Sequence, residues 1–590
     1  MKKIFLMLVL FASILIYPQS VVEKFSPEHQ TKLNSLNSSE KILVWIYFTD
    51  KGNSLENYFS NPELVVSEKS LQRRAKLQTE SLIDFTDMPI NQNYIEELQS
   101  SGFQLKQKSR WLNAVSGYVD KITLEKIIKN NFVKSVDVVG RFKKSENSIE
   151  FQENEIENLN RFAKPNGISS LNYGRSFNQL NIIKVPQVHN LGYNGAGVTI
   201  CVMDAGFNNL AHVVFDSMNI IATWDFVNGD PNVGDEGDMG NGTHGTNVLS
   251  VIGGYSPGNL IGPAYKSNYI LAKTENTDSE TPVEEDNWIA ALEWADSIGV
   301  DITSTSLGYL EYDPPFQSYT WQHMNGNTAK ITIAGDLAVK KGIVVVNSAG
   351  NEGSRTTPNS LIAPADGDSI FAIGSVDSLG NRSSFSSFGP TVDGRIKPDF
   401  MAMGSRVVVA RASNQTQFTT SSGTSFSCPL ASGAIALLLQ ANPNLTPIQL
   451  RNILRQTSSR NNNPDNFFGW GIINTLSALN IILGVEESSS LPDNFILYQN
   501  YPNPFYAGGG SAYGGNTGTT ISWQSAIGSW QTIKLYDVLG REIETIVDGY
   551  YEAGKHSTFY IINSTLPSGV YFYKLIAENF VETKKMIIIR

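Results

Sequence analysis

Ser425 and Cys428 stand three residues apart in "GTSFSCP", where a glycine-led turn runs into a long apolar segment. Either side chain can serve as a nucleophile. A hydroxyl near neutral pH does so only when a base removes its proton, and the base works best when a third group fixes its tautomer. Two upstream residues have the types that such a relay needs. Asp204 closes the apolar run "VTICVMD" and is followed by Ala205 and Gly206, so its carboxylate is expected at the carboxyl edge of a sheet. His244 lies in "GNGTHGTNVLSVIGG", and of the six histidines it alone combines a neighbouring glycine with an expected helix start. A helix beginning at Ser425 adds unpaired backbone N–H groups and the positive end of a dipole, both favourable to an anion formed on attack. Taken singly, each signal has an ordinary meaning, since an Asp after a strand often caps a turn and Gly-Thr-Ser often just starts a helix. Together the three settings are far more specific.

Those residues need a scaffold that brings strand ends and helix starts to one edge. From residue 171 to 484 the sequence alternates short Val/Ile-rich runs ("GVTICVMDAGF", "YILAKTE", "VDITSTSLG", "GIVVVNSAGNEG", "IFAIGSV") with helical stretches such as "NWIAALEWADSIG" and "ITIAGDLAVKKG". This alternation predicts an α/β fold, a mainly parallel sheet with helices on both faces and chemistry at its carboxyl edge. Residues 41–142 read as a small α/β module of strand, helix, strand, helix, strand, and 143–170 as an acidic, exposed linker. A second linker spans 485–494, and 495–590 read as a small all-β sandwich. The Gly-rich "FYAGGGSAYGGNTG" suits a hairpin loop rather than a phosphate cradle, since no helix follows it.

Bulk properties narrow the function classes. The 590 residues are 41% hydrophobic and 17% charged, enough for several cores. A net charge of −11 without a basic patch argues against nucleic acid as a partner. Residues 1–20 have the layout of a secretory signal peptide, two lysines before an apolar run from Ile4 to Ile16. As a helix that run rises only about 20 Å, short of a bilayer core of roughly 30 Å. No later stretch reads as membrane-length, so no span is expected in the mature protein. Two cysteines make at most one bridge. Cys428 has no basic partner and begins an apolar helix, which predicts a buried, inert thiol. Cys201 can pair with it only if their Cα atoms lie within about 7 Å.

The middle region resembles the subtilases, the subtilisin-like serine proteases, in four motifs: "VMDAGF" around Asp204, "GTHGTNV" around His244, "GTSFSCP" around Ser425 and "VNSAGNEG" ending near Asn351. The resemblance implies a triad of Asp204, His244 and Ser425, with Asn351 donating a side-chain N–H in the oxyanion hole. It implies substrate binding by Ser306, Leu307 and Gly308 in "STSLGYL" and by Ser348, Ala349 and Gly350, and it puts Ile362 near the pocket floor, where it would narrow it. The sequence departs from the family at Ala205, Phe426 and Leu430, which alters the cleft's shape but removes no reacting atom.

The flanking regions carry resemblances of their own. Residues 41–142 resemble subtilase propeptides, most clearly in "SRWLNAVSGYV", which implies an inhibitor and folding aid with the linker as the activation cleavage region; the competing reading is an unrelated binding domain. The tail is similar to the C-terminal sorting domain of the type IX secretion system in "LYQNYPNPF", "IKLYDVLGREI", "LPSGVYFYKL" and "TKKMIIIR", against a carbohydrate-binding sandwich. The expected protein is a secreted or surface-attached serine endopeptidase made as an auto-inhibited precursor. Its partners would be protein or peptide substrates, its own propeptide and the secretion machinery. The rival is a catalytically silent adhesion or scaffold protein. The chemistry requires no cofactor and no metal, although the loop carrying Asp225, Asp230, Asp235, Glu236 and Asp238 can bind structural calcium, as many subtilases do, or simply be solvated.

Overall fold

The computed structural model describes residues 24–25, 41–52, 55–79, 81–139, 171–236, 242–277, 283–312, 318–484, 495–506, 518–551, 554–561, 566–578 and 580–589. The expected signal peptide, both linkers, the Gly-rich loop and Asp238 lie outside these residues. The chain divides into two compact units at Gly484 and Val485.

The N-terminal module is a four-stranded antiparallel sheet. Its strands are β1 (Lys41–Phe48), β2 (Gln104–Ser109), β3 (Ala114–Asp120) and β4 (Val133–Val139), in the order β2-β3-β1-β4. Strand β2 is an addition to the three strands expected; "QLKQKS" carries no apolar alternation, and it is held by its antiparallel register on β3. Helices α2 (Gln92–Ser100) and α3 (Lys121–Ile127) supply Ile95, Leu98, Leu124 and Ile127 to one face, against Val44, Ile46 and Val115. The residues between, Leu43, Trp45 and Ala114, form a core on the other face, as the period-2 geometry of a strand requires. Helix α1 (Glu68–Ala75), in the β1–α2 connection, starts at Ser67, whose side chain accepts from the Ser70 N–H.

The middle region is built on seven parallel strands. They are β5 (Thr199–Asp204), β6 (Asn219–Asp225), β7 (Asn268–Lys273), β8 (Ile302–Thr305), β9 (Val344–Ser348), β10 (Phe371–Val376) and β11 (Phe400–Met403), in the order β11-β10-β9-β8-β5-β7-β6. Both faces are covered, which is why the strands read as continuous apolar runs. Ile200 and Val202 join one core with α4 (Thr243–Gly253) and α7 (Thr424–Ala441). Cys201 and Met203 join the other with α5 (Val283–Ile298) and α6 (Lys330–Lys340). Contrary to the expectation that no later stretch is membrane-length, α7 is long and apolar enough to cross a bilayer; it is instead a core helix, buried from Thr424 to Leu439.

The C-terminal unit is all-β. Strands β12 (Ile496–Leu497), β14 (Gly518–Ser525) and β17 (Gly554–Ile561) form one sheet in the order β12-β14-β17. Strands β13 (Phe505–Tyr506), β15 (Ser529–Tyr536), β16 (Glu542–Tyr551), β18 (Gly569–Ala577) and β19 (Phe580–Ile589) form another in the order β13-β19-β18-β15-β16. Ile521 and Trp523 of the first share a core with Ile533, Leu535 and Tyr573 of the second. The tail's aromatics at those positions are thus packing residues.

Candidate active site

Asp204 ends β5 at the carboxyl edge of the sheet and is fully buried. Its Oδ1 accepts the Ala205 N–H at 2.8 Å and lies 2.5 Å from His244 Nδ1. His244 is the second residue of α4, and its side chain is 15% exposed. The close approach of this helix to the Asp204 turn depends on Gly245. A Cβ at that position would sit 2.1 Å from the Gly206 carbonyl oxygen and 3.1 Å from Asp204 Cβ. A larger residue would therefore push the imidazole off its carboxylate.

Ser425 is the second residue of α7 and almost fully buried. Its Oγ donates to the Ser306 carbonyl at 3.2 Å, while Ser306 Oγ donates to the Ser425 carbonyl at 2.8 Å. This reciprocal pair fixes the start of α7 beside the segment after β8. Asn351 follows β9, and its Oδ1 accepts from both the Thr424 N–H (2.9 Å) and Thr424 Oγ1 (3.0 Å). With the oxygen so engaged, the amide nitrogen lies beside the turn into α7, where a Cβ on Gly423 would meet it at 3.5 Å. Asn347 Nδ2 donates to the Leu307 carbonyl at 3.0 Å, tying the 306–308 segment to β9. Ser348 ends β9, and the Ala349 N–H donates to Ile373 of β10 at 2.9 Å. Gly308 and Gly350 both face Ile362.

The three departures from the family pattern sit around this centre. Ala205 supplies the backbone donor to Asp204, the Phe426 ring lies 6.1 Å from the imidazole, and Leu430 is buried in the core under α7. Cys201 and Cys428 are both free and buried, on opposite faces of the sheet. Burial pushes the Cys428 thiol up to about 12, and its Sγ donates to the Thr305 carbonyl at 3.3 Å. A thiol held protonated in this way is a poor nucleophile. The competition posed by "GTSFSCP" is thereby decided against the cysteine.

The acidic loop is occupied by its own chain. Asp225 pairs with the buried Lys273 ammonium at 3.1 Å and accepts the Val227 and Asn228 N–H groups. Glu236 accepts from Asn228 and Asn232, and Asp235 from Asn208 and the Gly242 N–H. Among the described residues no group of three or more His, Cys, Asp or Glu is placed to hold a metal. These carboxylates serve the turn that leads into His244, a role that the sequence reading missed because Lys273 lies 48 residues beyond Asp225.

A second functional surface was also not legible in sequence. The N-terminal module packs on α5 and the ends of α5 and α6. Ser67 N–H and Oγ bond the Ser297 and Ile298 carbonyls at 3.0 and 2.9 Å. The Arg73 guanidinium reaches the Val300 carbonyl (2.6 Å), the Lys341 carbonyl (3.1 Å) and Asp296 (2.5 Å). These groups satisfy carbonyls that a helix end leaves unpaired and place a cation at the negative end of its dipole. Arg74 and Arg110 also bind Asp296, at 2.6 and 3.1 Å. Glu293 accepts from Ser109 Oγ and the Arg110 N–H, and Trp45 Nε1 donates to Asp286. Burial pushes both Glu293 and Asp286 up to about 7.

Comparison with known proteins gives this arrangement its context. The model described as "Subtilase family" matches residues 195–471, that of "Peptidase S8 propeptide domain, Bacteroidota" matches 43–157, and that of "Secretion system C-terminal sorting domain" matches 501–589. Subtilisin DY of Bacillus licheniformis is 33% identical over 299 residues, covering 50% of this chain and 96% of its own length. Subtilisin E of Bacillus subtilis is 27% identical over 383 residues, 65% of this chain and 84% of its own. Serine protease AprX of the same species is 30% identical over 309 residues, 48% of this chain and 65% of its own.

Proposed function

Since the chain belongs to the subtilase family of serine peptidases, we propose that it hydrolyses internal peptide bonds through Ser425, with His244 as base and Asp204 as its partner. The propeptide and sorting domains make it a secreted, auto-inhibited protein that is released or attached at the cell surface. The observation that carries the reading is the 2.5 Å contact of Asp204 Oδ1 with His244 Nδ1 at the sheet edge to which Ser425 and Asn351 also come.

In this mechanism Asp204 holds the imidazole by Nδ1, leaving Nε2 to take the proton as Ser425 Oγ attacks the scissile carbonyl carbon. The Asn351 amide N–H and the Ser425 backbone N–H receive the developing oxyanion. The imidazolium then returns its proton to the leaving amine, and the C–N bond breaks to give an acyl-enzyme. Water, deprotonated by the same nitrogen, hydrolyses the ester and frees Ser425. Every proton and charge is handled by these side chains and backbone groups, so the proposed chemistry asks for no metal or cofactor.

The test is hydrolysis of an unfolded protein substrate by the matured chain. The account expects internal cleavages that disappear in Ser425→Ala. Absence of cleavage in the wild type would favour the silent scaffold, and cleavage that persists in the variant would remove Ser425 as the nucleophile.

A further inference from the structure

Two helices of the middle region end beneath the N-terminal module, α5 before Gly299 (φ +96°) and α6 before Gly342 (φ +88°), left-handed positions that suit glycine. Helix α1 of the module lies on both. A Cβ on Gly299 would meet Lys69 Cβ at 2.8 Å, and one on Gly342 would meet Arg73 Cγ at 3.3 Å. Carbonyls at a helix end lack partners within the helix and carry the negative end of its dipole. At this junction the Arg73 guanidinium takes them up. Its three nitrogens go to three acceptors of the middle region: Nε to the Lys341 carbonyl (3.1 Å), Nη1 to the Val300 carbonyl (2.6 Å) and Nη2 to Asp296 Oδ1 (2.5 Å). Only Ser70 Oγ, 2.8 Å from Nη2, comes from the module itself. Both Arg73 and Asp296 are almost completely buried.

We infer that this junction is a guanidinium site that outlasts the module: in the matured protein Asp296, Val300 and Lys341 bind an arginine side chain presented by another protein, outside the cleft. The inference rests on removal of the module in the proposed function, not on the identity of the nucleophile. The acceptors are held in place without the module. The Val300 N–H donates to the Ala295 carbonyl at 3.2 Å and the Lys341 N–H to the Ala338 carbonyl at 3.0 Å, while Asp301 bonds Thr199 of β5 and Val344 of β9. Departure of the module also takes Arg74 and Arg110 from Asp296 Oδ2, so a carboxylate shared by three guanidinium groups is left with none. Arginine fits better than lysine, because its planar fork sends one nitrogen to each acceptor whereas an ammonium brings a single nitrogen. A hard cation such as calcium takes six to eight oxygens, against the one carboxylate and two carbonyls that Arg73 uses. Val300 precedes β8 and Ser306 follows it, which puts the site roughly 20 Å from the cleft along the strand, within reach of one bound protein.

The test uses matured protein freed of the module by gel filtration and titrated calorimetrically with arginine amide and, at equal ionic strength, lysine amide. Arginine amide is expected to bind saturably, at least about tenfold more tightly than lysine amide. Binding should be lost in Asp296→Asn and should leave hydrolysis of a short arginine-free peptide unchanged. Equal affinity for the two amides, or no saturation, overturns the inference. Inhibition of the peptide's hydrolysis would put the ligand in the cleft, and calcium that expels arginine amide would make this a metal site; either result overturns it too. If Asp296→Asn does not fold, Arg73→Lys in the precursor reads the same preference. Release of the cleaved module at least about tenfold faster than in the wild type is then expected, and unchanged release overturns the inference. A wild-type module that never leaves removes the maturation reading and this site with it, whereas a freed protein that ignores arginine removes the site alone.

Discussion

The cleft and the docking face of the N-terminal module solve opposite problems with different materials. Around Ser425 the positioning groups are hydroxyls, the Asn347 and Asn351 amides and backbone carbonyls, with the Asp204 carboxylate held against His244. Along α5 the module is held by buried ions, with Arg73, Arg74 and Arg110 converging on Asp296. A reacting centre needs a few atoms held without a competing field. A temporary partner needs many contacts that hold only while all are present. Buried charges suit the second task because removing one partner strands the other, at a cost of about 3–5 kcal/mol.

That contrast can be broken at either end. The largest effect is expected in the cleft: Ser425→Ala should lower turnover by about 10⁶, a figure borrowed from subtilisin itself, while the module remains docked. A precursor that still cuts itself in this variant would contradict the assignment. On the docking face, Asp296→Ala leaves three guanidinium groups short of a carboxylate and should weaken retention of the cleaved module by roughly 10²–10⁴-fold. Gel filtration after cleavage reads this, and a module that co-elutes as firmly as in the wild type would remove the ionic anchor from the account.

Smaller effects sharpen the division. Asn351→Ala should cost about 10²–10³ in kcat with KM little changed, the order seen for the equivalent loss in subtilisin itself. A loss confined to KM would make Asn351 a binding residue instead. The docking face should also respond to pH. Burial in the docked state raises Glu293 and Asp286 to about 7 against the opposing pull of Ser109, Arg110 and Trp45, and undocking exposes both to water, which returns them toward ordinary carboxylate values near 4. The docked state therefore holds more protons. Its advantage is fully present below about pH 4 and is lost as pH rises through 7, so retention should fall at least roughly tenfold between pH 5 and 8. Retention that increases over this range would reverse the sign. Least of all should change with the thiols: Cys201 and Cys428 should resist a thiol reagent until the chain is unfolded, and rapid labelling of Cys428 in the native protein would contradict its burial.

The same division separates what the sequence discloses from what it conceals. Asp204, His244, Ser425 and Asn351 each stand at a strand end or helix start marked by glycine and by apolar runs within a few residues, so local pattern locates them. The docking face is made of pairs such as Arg73 and Asp296, 223 residues apart, and nothing local marks Arg73 as more than one charge on an amphipathic helix. Edge elements were obscured for a related reason. Strand β6 is largely exposed and lacks the continuous apolar run of its neighbours, and β11 has only four residues. Both exist because β7 and β10 offer them backbone partners. In sequence Asp225 looks like a loop carboxylate, because its partner, Lys273, becomes a neighbour only once β6 and β7 align.

The central claim is that Ser425, activated through His244 and Asp204, is the nucleophile, with Cys428 beneath it inert. Treating the matured protein with a fluorophosphonate and mapping the adduct by peptide mass spectrometry tests this most directly. The account predicts one adduct, on Ser425, strongly slowed in His244→Ala and with Cys428 unmodified. An unlabelled Ser425 under conditions that label a control subtilisin, or an adduct elsewhere at equal rate, would contradict it.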